Sequence, residues 1–340
     1  MIFQWLYILG FNFFWSIDHR IVVDQNGQGD FTAIQPAIDF ALQRPDIHEI
    51  YIHEGIYTEK LFIDSLLSNL TFKGSSKDEV TIRYTQSRDI WRCSHPDDYG
   101  AAVINVKGRD LKFLNLTVIN DFGSTISGDT TIYCPNAFSP SADNGSKEHL
   151  NKKVAKDSHQ FAFRSFPGAT RIVWDNCDFI SDGGDTVSPW DVQNGLYYMK
   201  NCTVSGHVDA WCPRGYALAE NCVFYGKNKH ALVWHDGVAD KNSKSVMKNC
   251  RFEGDAGFAL GRYHKDSQQY FFDCTFAATM ADKPIYKAGN GALLHGHRVF
   301  FNRCKKEGKS FDWYKDNTDI TSDQVTFEYV FGDKWRLNNK

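Results

Sequence analysis

The sequence predicts an all-β fold, a right-handed single-stranded parallel β-helix, from a repeated cysteine motif and from short runs of alternating β-branched and aromatic residues. An Asn or Asp, a Cys, a variable residue and a Phe or Val recur at residues 176–179, 201–204, 221–224, 249–252 and 273–276, with a degraded copy at 302–304. Successive cysteines of this motif lie 20 to 30 residues apart, about 25 on average. That period is typical of the coils of a parallel β-helix.

The motif also predicts how its residues are arranged. Each coil lays a strand about 4.8 Å from the one before it, so the repeated Asn side chains should stack into a hydrogen-bonded ladder. The repeated cysteines should be small buried core residues rather than disulfides or catalytic groups. The chain has nine cysteines, an odd number, and none forms a CxxC pair. Neither complete disulfide pairing nor a zinc site is therefore expected.

The segments flanking the repeats differ in pattern. Residues 31–42 place apolar side chains at helical spacing, with Thr32 as the expected N-cap. A helix there would cover the open end of the β-helix and protect its first strand from edge pairing. Residues 121–158 are polar and rich in Ser, Asn, Gly and Lys, which predicts a long loop outside the stack. The tail after Lys305 loses the motif and is predicted to fold back as short helix and loop.

We expect one domain at residues 21–340, preceded by a separate segment at residues 1–20. Residues 1–15 are mostly apolar and aromatic but lack a basic start and a small-residue cleavage site, so both a secretion signal and a plain N-terminal extension stay open. No other stretch is apolar enough to cross a membrane. A formal net charge of −3 gives no basic field for nucleic acid. A monomer is expected.

A candidate site follows from the coil period. The sequence has no GxSxG, HExxH or P-loop motif. Gln160, Asp185 and Asp209 are 25 and 24 residues apart, one coil each, so their side chains should stack. Two carboxylates roughly 5 Å apart would separate their protonation equilibria, leaving one as proton donor and one as anion. The alternative is that Asp185, which follows two glycines, is only a turn residue.

Aromatic residues are concentrated around the same coils, and their flat faces would suit sugar rings. For each of them taken alone, core packing is the favoured interpretation; they are Trp190, Trp211, Tyr216, Trp234 and Tyr263. His235 and His264 are expected to be surface or hydrogen-bonded histidines rather than catalytic groups.

A series of short motifs runs along the chain, beginning with the block at residues 22–35 and GxYxE at 55–59. The later ones are QFAF at 160–163, GDT at 184–186, GHVD at 206–209, LGR at 260–262 and FGDKW at 331–335. From residue 22 to residue 335, these motifs resemble in the same order those of pectinesterases (pectin methylesterases), which have QAVA, QDT, GTVD, LGRPW and a C-terminal motif at the five later positions.

The resemblance implies a role for each matched residue. Asp209 would be the nucleophile that attacks the ester carbonyl, and Asp185 would be the acid and base that serves the leaving methanol and the incoming water. Gln160 would donate to the oxyanion, and Arg262 would orient the Asp209 carboxylate. No metal or organic cofactor is implied.

The chain also departs from the family's pattern near the site. Gly184 stands where the family has a second oxyanion glutamine, and losing one such donor typically lowers the rate about 100- to 1000-fold. A residue of the 121–158 segment or a backbone N–H could replace it. His264 displaces the Trp of LGRPW, and residues 210–215 read Ala-Trp-Cys-Pro-Arg-Gly rather than FIFG. The expected substrate contacts are Val208, Trp211, Trp190 and His264.

The resemblance implies a secreted or cell-envelope enzyme that removes methyl esters from pectin (homogalacturonan), releasing methanol. Three alternatives stay open on the residues alone. An esterase for another acyl group would fit the altered substrate positions, and a β-helix glycosidase or lyase would fit two carboxylates about 5 Å apart. An inactive carbohydrate-binding β-helix would fit the loss of a donor at Gly184, although keeping Gln160, Asp185, Asp209 and Arg262 together argues against it.

Overall fold

The chain folds as the predicted right-handed parallel β-helix. The computed structural model describes residues 19–138, 147–236 and 240–337, and the predicted segment at residues 1–20 lies almost wholly outside them. Each coil contributes strands to up to three parallel sheets that enclose one hydrophobic core. Among the described residues, no helix is long and apolar enough to cross a membrane.

The first sheet is the longest and carries one strand from almost every coil. Its strands in spatial order are Arg20–Val23, Glu49–Ile52, Ser68–Gly74, Arg109–Leu114, Ile172–Asp175, Leu196–Lys200, Tyr216–Glu220, Ser245–Lys248, Gln269–Phe272 and Val299–Asn302. The second sheet follows it around each coil. Its strands are Gly55–Thr58, Val80–Tyr84, Thr117–Asn120, Asp178–Ser181, Thr203–Gly206, Val223–Gly226, Arg251–Gly254, Thr275–Phe276 and Lys305–Lys306.

The third sheet is interrupted. One part consists of Leu61–Ile63, Ala102–Val106, Phe161–Ser165 and Val187–Ser188, and the other of Ala231–Trp234, Ala259–Tyr263 and Tyr286–Lys287. Between them, Trp211 makes single bridges to Val187 and Val233. The coil that carries Asp209 is thus the one in which the regular strand is lost, and irregular backbone there can present side chains to solvent.

The predicted asparagine ladder is present at the turn between the first and second sheets. Asn115, Asn176, Asn201, Asn221 and Asn249 all have φ between 52° and 56°. This left-handed conformation suits Asn and Asp better than other residues with a Cβ. The Asn176 amide donates to Asn115 at 2.8 Å, and the Asn249 amide donates to Asn221 at 2.7 Å. The repeated Asn therefore both forms the turn and connects successive coils.

The prediction for the repeated cysteines is also confirmed. Those of the motif are free thiols, buried in the core except for a half-buried Cys304, and comprise Cys177, Cys202, Cys222, Cys250, Cys274 and Cys304. The sequence did not predict the disulfide between Cys93 and Cys134, which lie 41 residues apart and outside the repeat. It joins the turn after the short helix Arg88–Trp91 to the segment that follows residue 121.

A capping helix does cover the N-terminal end of the stack. It spans Ile34–Gln43 and buries Ile34, Ala37, Ile38 and Ala41 against the first coil. The prediction of Thr32 as the N-cap is wrong. The cap position is Ala33, and the free N–H groups of Ile34 and Gln35 donate to the carboxylate of Glu59 at 2.8 and 2.9 Å. A carboxylate from a neighbouring coil thus satisfies the helix N-terminus.

The segment 121–158 is more regular than predicted. It contains a short helix, Phe122–Thr125, and two antiparallel strands, Thr130–Phe138 and Lys147–Val154, that pair only with each other. The prediction that it lies outside the stack is confirmed, but the prediction of a loop is wrong. The disulfide and an ion pair between Lys152 and Asp89 at 3.2 Å attach this hairpin to the helix Arg88–Trp91.

The C-terminal tail folds back as predicted. Its helical turns are Asp312–Tyr314, Ser322–Gln324, Phe327–Phe331 and Gly332–Lys334. Phe331 and Trp335 pack with Tyr216 and Leu218 in a second apolar cluster on the outer face of the first sheet. The tail therefore covers a sheet face opposite the core and leaves the third sheet open.

Candidate active site

A groove of about 470 Å³ runs along the interrupted third sheet. Asp185, Asp209 and Arg262 line it, together with aromatic and cationic side chains from neighbouring coils. A second cavity of about 500 Å³ lies between the C-terminal tail and the first sheet. This cavity contains neither Asp185 nor Asp209, so the groove on the third sheet is the better candidate for chemistry.

The two aspartates lie on adjacent coils, as the spacing predicts. The N–H of Asp185 donates to the carbonyl of Val208 at 3.0 Å, and the N–H of Asp209 donates to the carbonyl of Ala231 at 2.7 Å. Asp185 and Asp209 have φ of 58° and 55°. Asp tolerates this left-handed backbone better than most residues with a Cβ, and the two stacked aspartates share it. Both carboxylates line the groove.

Arg262 holds the carboxylate of Asp209 in a two-point pair. Its Nε donates to Oδ1 at 3.0 Å and its Nη2 donates to Oδ2 at 2.6 Å. The Asp209 side chain is only 9% exposed. Burial raises the pKa of Asp209; Arg262 opposes this rise, and the neighbouring charge of Asp185 adds to it. The paired guanidinium thus favours the anion that a nucleophile requires and fixes its orientation.

The Asp185 carboxyl is held more loosely. His159 Nε2 lies 3.5 Å from its Oδ1, and the hydroxyl of Ser188 lies 3.4 Å from its Oδ2. Both contacts are at the long limit for a hydrogen bond. A carboxyl with weak partners inside a groove is free to exchange a proton with a bound molecule, which is what an acid and base must do.

Gln160 does not face the groove, and its predicted role as an oxyanion donor is wrong. Its side chain is fully buried, and its amide donates to the carbonyls of Lys156 at 2.7 Å and Asp182 at 3.3 Å. Its oxygen accepts from the N–H of Gly123 at 2.9 Å. Gln160 therefore fastens both ends of the 121–158 segment to the stack and has no amide proton left for substrate.

The residue before it, His159, faces the groove instead. Its side chain is 45% exposed and lines the groove beside Asp185. His159 and Gly184 are bridge partners on adjacent coils. A Cβ added at Gly184 would lie 3.7 Å from His159 Cδ2, and 3.0 and 3.1 Å from Val208 Cγ1 and the Val208 carbonyl. A Cβ at position 184 would thus press on Val208 and lie in ordinary contact with the imidazole.

The structure separates the predicted substrate contacts into two groups. Trp190 and His264 line the groove. Trp211 does not, because it is buried in the core between Trp174 and Phe224, with ring centroids 6.0 and 6.4 Å away. The prediction for Trp211 as a substrate contact is therefore wrong, whereas core packing is confirmed. Val208 lies behind Gly184 and is not among the groove-lining residues.

His235 and Tyr216 take the structural roles that were favoured for them. His235 is buried between the Ser267 hydroxyl at 3.0 Å and the Gly215 carbonyl at 2.8 Å. Burial lowers the pKa of His235 to about 4, so its imidazole is neutral at neutral pH. Tyr216 belongs to the apolar cluster under the tail. Neither residue lines the groove.

Apart from Arg262, the cations of the groove were not predicted from the sequence. Arg214 is stacked between the rings of Trp190 and Trp234, 3.6 and 3.8 Å from their centroids, and Arg164 lies 4.7 Å from Trp190. Arg88 and Lys265 line the same groove. The stretch 210–215 stood out as a departure from the family's pattern, but its arginine was not singled out. Within the described ranges, no group of three or more His, Cys, Asp or Glu is arranged to hold a metal ion.

Pectinesterases from plants and bacteria share this architecture. A family model described as Pectinesterase matches residues 20–133. "Probable pectinesterase 67" of Arabidopsis thaliana is 22% identical over 339 residues, covering 94% of this chain and 86% of the relative. The pectin methylesterase PemA from Erwinia chrysanthemi superposes with a TM-score of 0.67 at 19% identity, covering 93% of this chain and 97% of that one. A pectin methylesterase in complex with a hexasaccharide gives 0.64, with the same identity and coverage.

Proposed function

Because this chain is a divergent member of the pectinesterase family, we propose that it hydrolyses the methyl esters of pectin (homogalacturonan). The products are methanol and free galacturonate. The observation that carries the proposal is the stacked pair Asp185 and Asp209 in one groove, with Arg262 bound to Asp209 at two points. A solved relative binds a hexasaccharide, which supports a sugar chain as the occupant of this groove.

In the first half of the proposed reaction, a carboxylate oxygen of Asp209 attacks the ester carbonyl carbon. The electron pair of the carbonyl moves to its oxygen and returns as the bond to the methoxy oxygen breaks, leaving an acyl anhydride on Asp209. Asp185 gives its proton to the departing methoxy oxygen, so the leaving group is methanol rather than methoxide. Arg262 keeps the attacking oxygen oriented.

In the second half, water replaces methanol. Asp185, now an anion, removes a proton from a water molecule as the water oxygen attacks the acyl carbon. The bond from the acyl carbon to the Asp209 oxygen breaks, which restores the Asp209 carboxylate and leaves the free galacturonic acid. The acid then loses its remaining proton to solvent water and becomes galacturonate. Asp185 ends protonated, as it began, so the atoms and charges balance over the cycle.

The oxyanion of this reaction requires a donor other than Gln160. We propose the imidazole of His159, because it lines the groove next to Asp185 and stands where a side chain at position 184 would reach. A neutral imidazole carries one N–H that can donate to the developing oxyanion. In this account, the glycine at 184 makes room for the imidazole.

A His159→Ala variant is expected to lower kcat about 100-fold with little change in KM, since the lost donor acts in the transition state. His159→Gln restores an N–H donor and should recover part of that loss. His48, an exposed histidine far from the groove, supplies the control His48→Ala. Steady-state kinetics on methylated pectin make the comparison. Unchanged kcat in His159→Ala would remove His159 from the mechanism.

We also propose that the protein works outside the reducing cytosol, as a secreted or cell-envelope enzyme. The disulfide between Cys93 and Cys134 supports this, because such bonds persist in oxidising compartments. A monomer is sufficient for the proposed activity, since Asp185, Asp209 and Arg262 all come from one chain.

A product assay tests the proposed function. The wild-type protein is incubated with highly methylated pectin, with acetylated pectin and with unesterified homogalacturonan, and methanol, acetate and new chain ends are measured. Methanol release from the methylated polymer alone is expected. Acetate without methanol would show an esterase of another acyl specificity, and new reducing or unsaturated ends without methanol would show chain cleavage instead.

A further inference from the structure

Arg214 is a buried cation in the groove that the proposed reaction does not use. It lies on the same coil as Asp209, its side chain lines the groove, and only 6% of the residue is exposed. Trp190 on the preceding coil and Trp234 on the following one hold its guanidinium between their rings, at 3.6 and 3.8 Å. The clamp fixes the guanidinium without neutralising its charge.

No carboxylate within 4.0 Å pairs with Arg214 in the described part of the chain. Its Nη1 donates to the Cys212 carbonyl at 2.7 Å and to the Ser188 hydroxyl at 3.3 Å, while its buried Nε has no partner. Asp236, its bridge partner on the next coil, instead accepts from the N–H groups of His264 and Lys265. Arg214 acts to lower the pKa of Asp209 through its charge, but no described carboxylate contacts its guanidinium. A buried charge without a contacting counter-ion is costly, which indicates that an anion binds there.

The neighbouring Arg164 differs from Arg214 because it has a direct ion pair. Arg164 lies on the coil before Trp190 and faces the same ring at 4.7 Å. Its Nη2 forms an ion pair with Asp98 at 3.1 Å, and Asp98 also pairs with Arg88 at 2.9 Å. Although burial acts to raise it, these guanidiniums hold the pKa of Asp98 below its usual value. Arg164 therefore has a directly paired carboxylate, whereas Arg214 acts on Asp209 only through space.

The arginines stacked on Trp190 also affect whether this ring can bind a sugar. Trp190 lies between the coils of Arg164 and Arg214, so both of its faces carry a guanidinium. A sugar ring therefore cannot stack on Trp190, and the groove offers charge rather than a flat apolar face. The groove is lined by five cationic side chains and three carboxylates, and Asp98 pairs with two of these cations. The balance is about one positive charge, whereas the whole chain has a net charge of −3. This local excess of positive charge would attract an anionic polymer.

We propose that Arg214, clamped by Trp190 and Trp234, binds the free carboxylate of an unesterified uronate residue next to the ester that is cleaved. The proposal deepens the proposed function and rests on it for the identity of the ester. A guanidinium is well suited to a carboxylate because its planar N–H groups match the two oxygens. The preferred substrate is then a partly de-esterified chain, and Arg214 determines this preference.

Binding in the absence of turnover tests the proposal. The parent protein is an Asp209→Asn variant, which the mechanism predicts to be inactive, so that esters stay intact during titration calorimetry. The probes are a galacturonate trimer with free carboxylates and the same trimer fully methyl-esterified. We expect the free trimer to bind at least about tenfold more tightly, and the difference to shrink as salt is raised.

Substitutions of Arg214 test whether this residue causes the preference for the free trimer. Arg214→Gln should abolish the preference for the free trimer, and Arg214→Lys should keep part of it. The control Arg303→Gln removes an arginine from a surface pair with Asp273 and should keep the preference in full. If Arg214→Gln does not fold, as judged by its unfolding midpoint, a weaker preference in Arg214→Lys than in the parent decides, because Arg262, freed from its pair in the parent, could by itself favour the free trimer. Equal binding of the trimers, or a preference that persists in folded Arg214→Gln, would overturn the proposal.

These outcomes are separate from those of the proposed function. A preference for the free trimer without methanol release would support the anion site and contradict the methylesterase activity. Methanol release with equal binding of both trimers would support the activity and contradict the anion site.

Discussion

An Asp209→Asn variant is expected to lose methylesterase activity by at least about 10⁴-fold, the scale seen when a nucleophile is removed from a hydrolase site. Asn keeps the size of the side chain and also tolerates the left-handed backbone, φ 55°, that position 209 requires. Ala at this position would add backbone strain to the loss of the nucleophile. The Asn variant therefore isolates the chemistry, and kcat on methylated pectin is the measurement.

The same variant should be no less stable than the wild type at pH 7. The pKa of Asp209 is raised in the folded protein, first by burial. A carboxyl whose pKa is raised on folding favours the folded state only while it is protonated, and that contribution is lost as the pH rises through the folded pKa. At pH 7 the ionised side chain therefore opposes folding. In denaturant unfolding at pH 7, the free energy of unfolding of the Asn variant should be equal to or higher than that of the wild type. Any such advantage should vanish below the ordinary Asp pKa of 3.8.

Asp273 supplies a matched control. It has φ of 51°, and Arg303 binds it at two points, at 2.7 and 2.8 Å, outside the groove. Asp273→Asn removes a carboxylate from the same kind of pair at the same kind of backbone position. It should leave kcat unchanged. Equal losses of activity in Asp209→Asn and Asp273→Asn would mean that the effect comes from the fold rather than from a nucleophile.

An Arg262→Gln variant should also lose much of its activity, and the loss should depend on pH. Arg262 acts against the rise in the pKa of Asp209, so its removal should raise that pKa further. Since the nucleophile must be an anion, the acidic limb of kcat/KM should move to higher pH. The rate on the plateau should also fall about 100-fold, because the attacking oxygen is no longer oriented.

Two further variants separate charge from geometry. Arg262→Lys keeps a positive charge but not the two-point contact, so it should shift the acidic limb less than Gln while losing a similar share of the plateau rate. Arg303→Lys makes the same change at the Asp273 pair and should alter neither quantity. A pH profile of Arg262→Gln that has the wild-type acidic limb would show that Arg262 does not tune the nucleophile.

The fold could be predicted because one short cysteine motif repeats along the chain. A coil of about 25 residues is visible in the cysteines, and this period alone is enough to place Asp185 and Asp209 on adjacent coils. The capping helix and the folded tail were also predictable, because each is a local change of pattern. The cap of that helix was not, since Glu59 reaches it from another coil.

The direction of a side chain at a given coil position was less predictable. Gln160 shares a column with Asp185 and Asp209, but only the two aspartates have the left-handed backbone. Gln160 turns away from the groove and binds the 121–158 segment, whereas the aspartates line the groove. Spacing therefore predicts which residues are neighbours, but not which way each side chain points. Nothing in the sequence indicates the value of φ at residue 160.

The cations of the groove were hard to predict for a similar reason. Arg214 and Trp190 are 24 residues apart, and their contact depends on the register of an irregular coil between two parts of a sheet. Trp211 lies three residues before Arg214 and is in the core, while Trp190 and Trp234 are at the groove. The sequence identified the coils on which the aromatic residues are concentrated. It could not show whether each ring faces the core or the groove.

The most direct test of the central claim is methanol release from highly methylated pectin, measured side by side for the wild-type protein and Asp209→Asn. The mechanism predicts methanol from the wild type and none above background from the variant, with both proteins folded. Methanol at the wild-type rate from Asp209→Asn would contradict the assignment of Asp209 as the nucleophile. No methanol from the folded wild type would contradict the methylesterase itself.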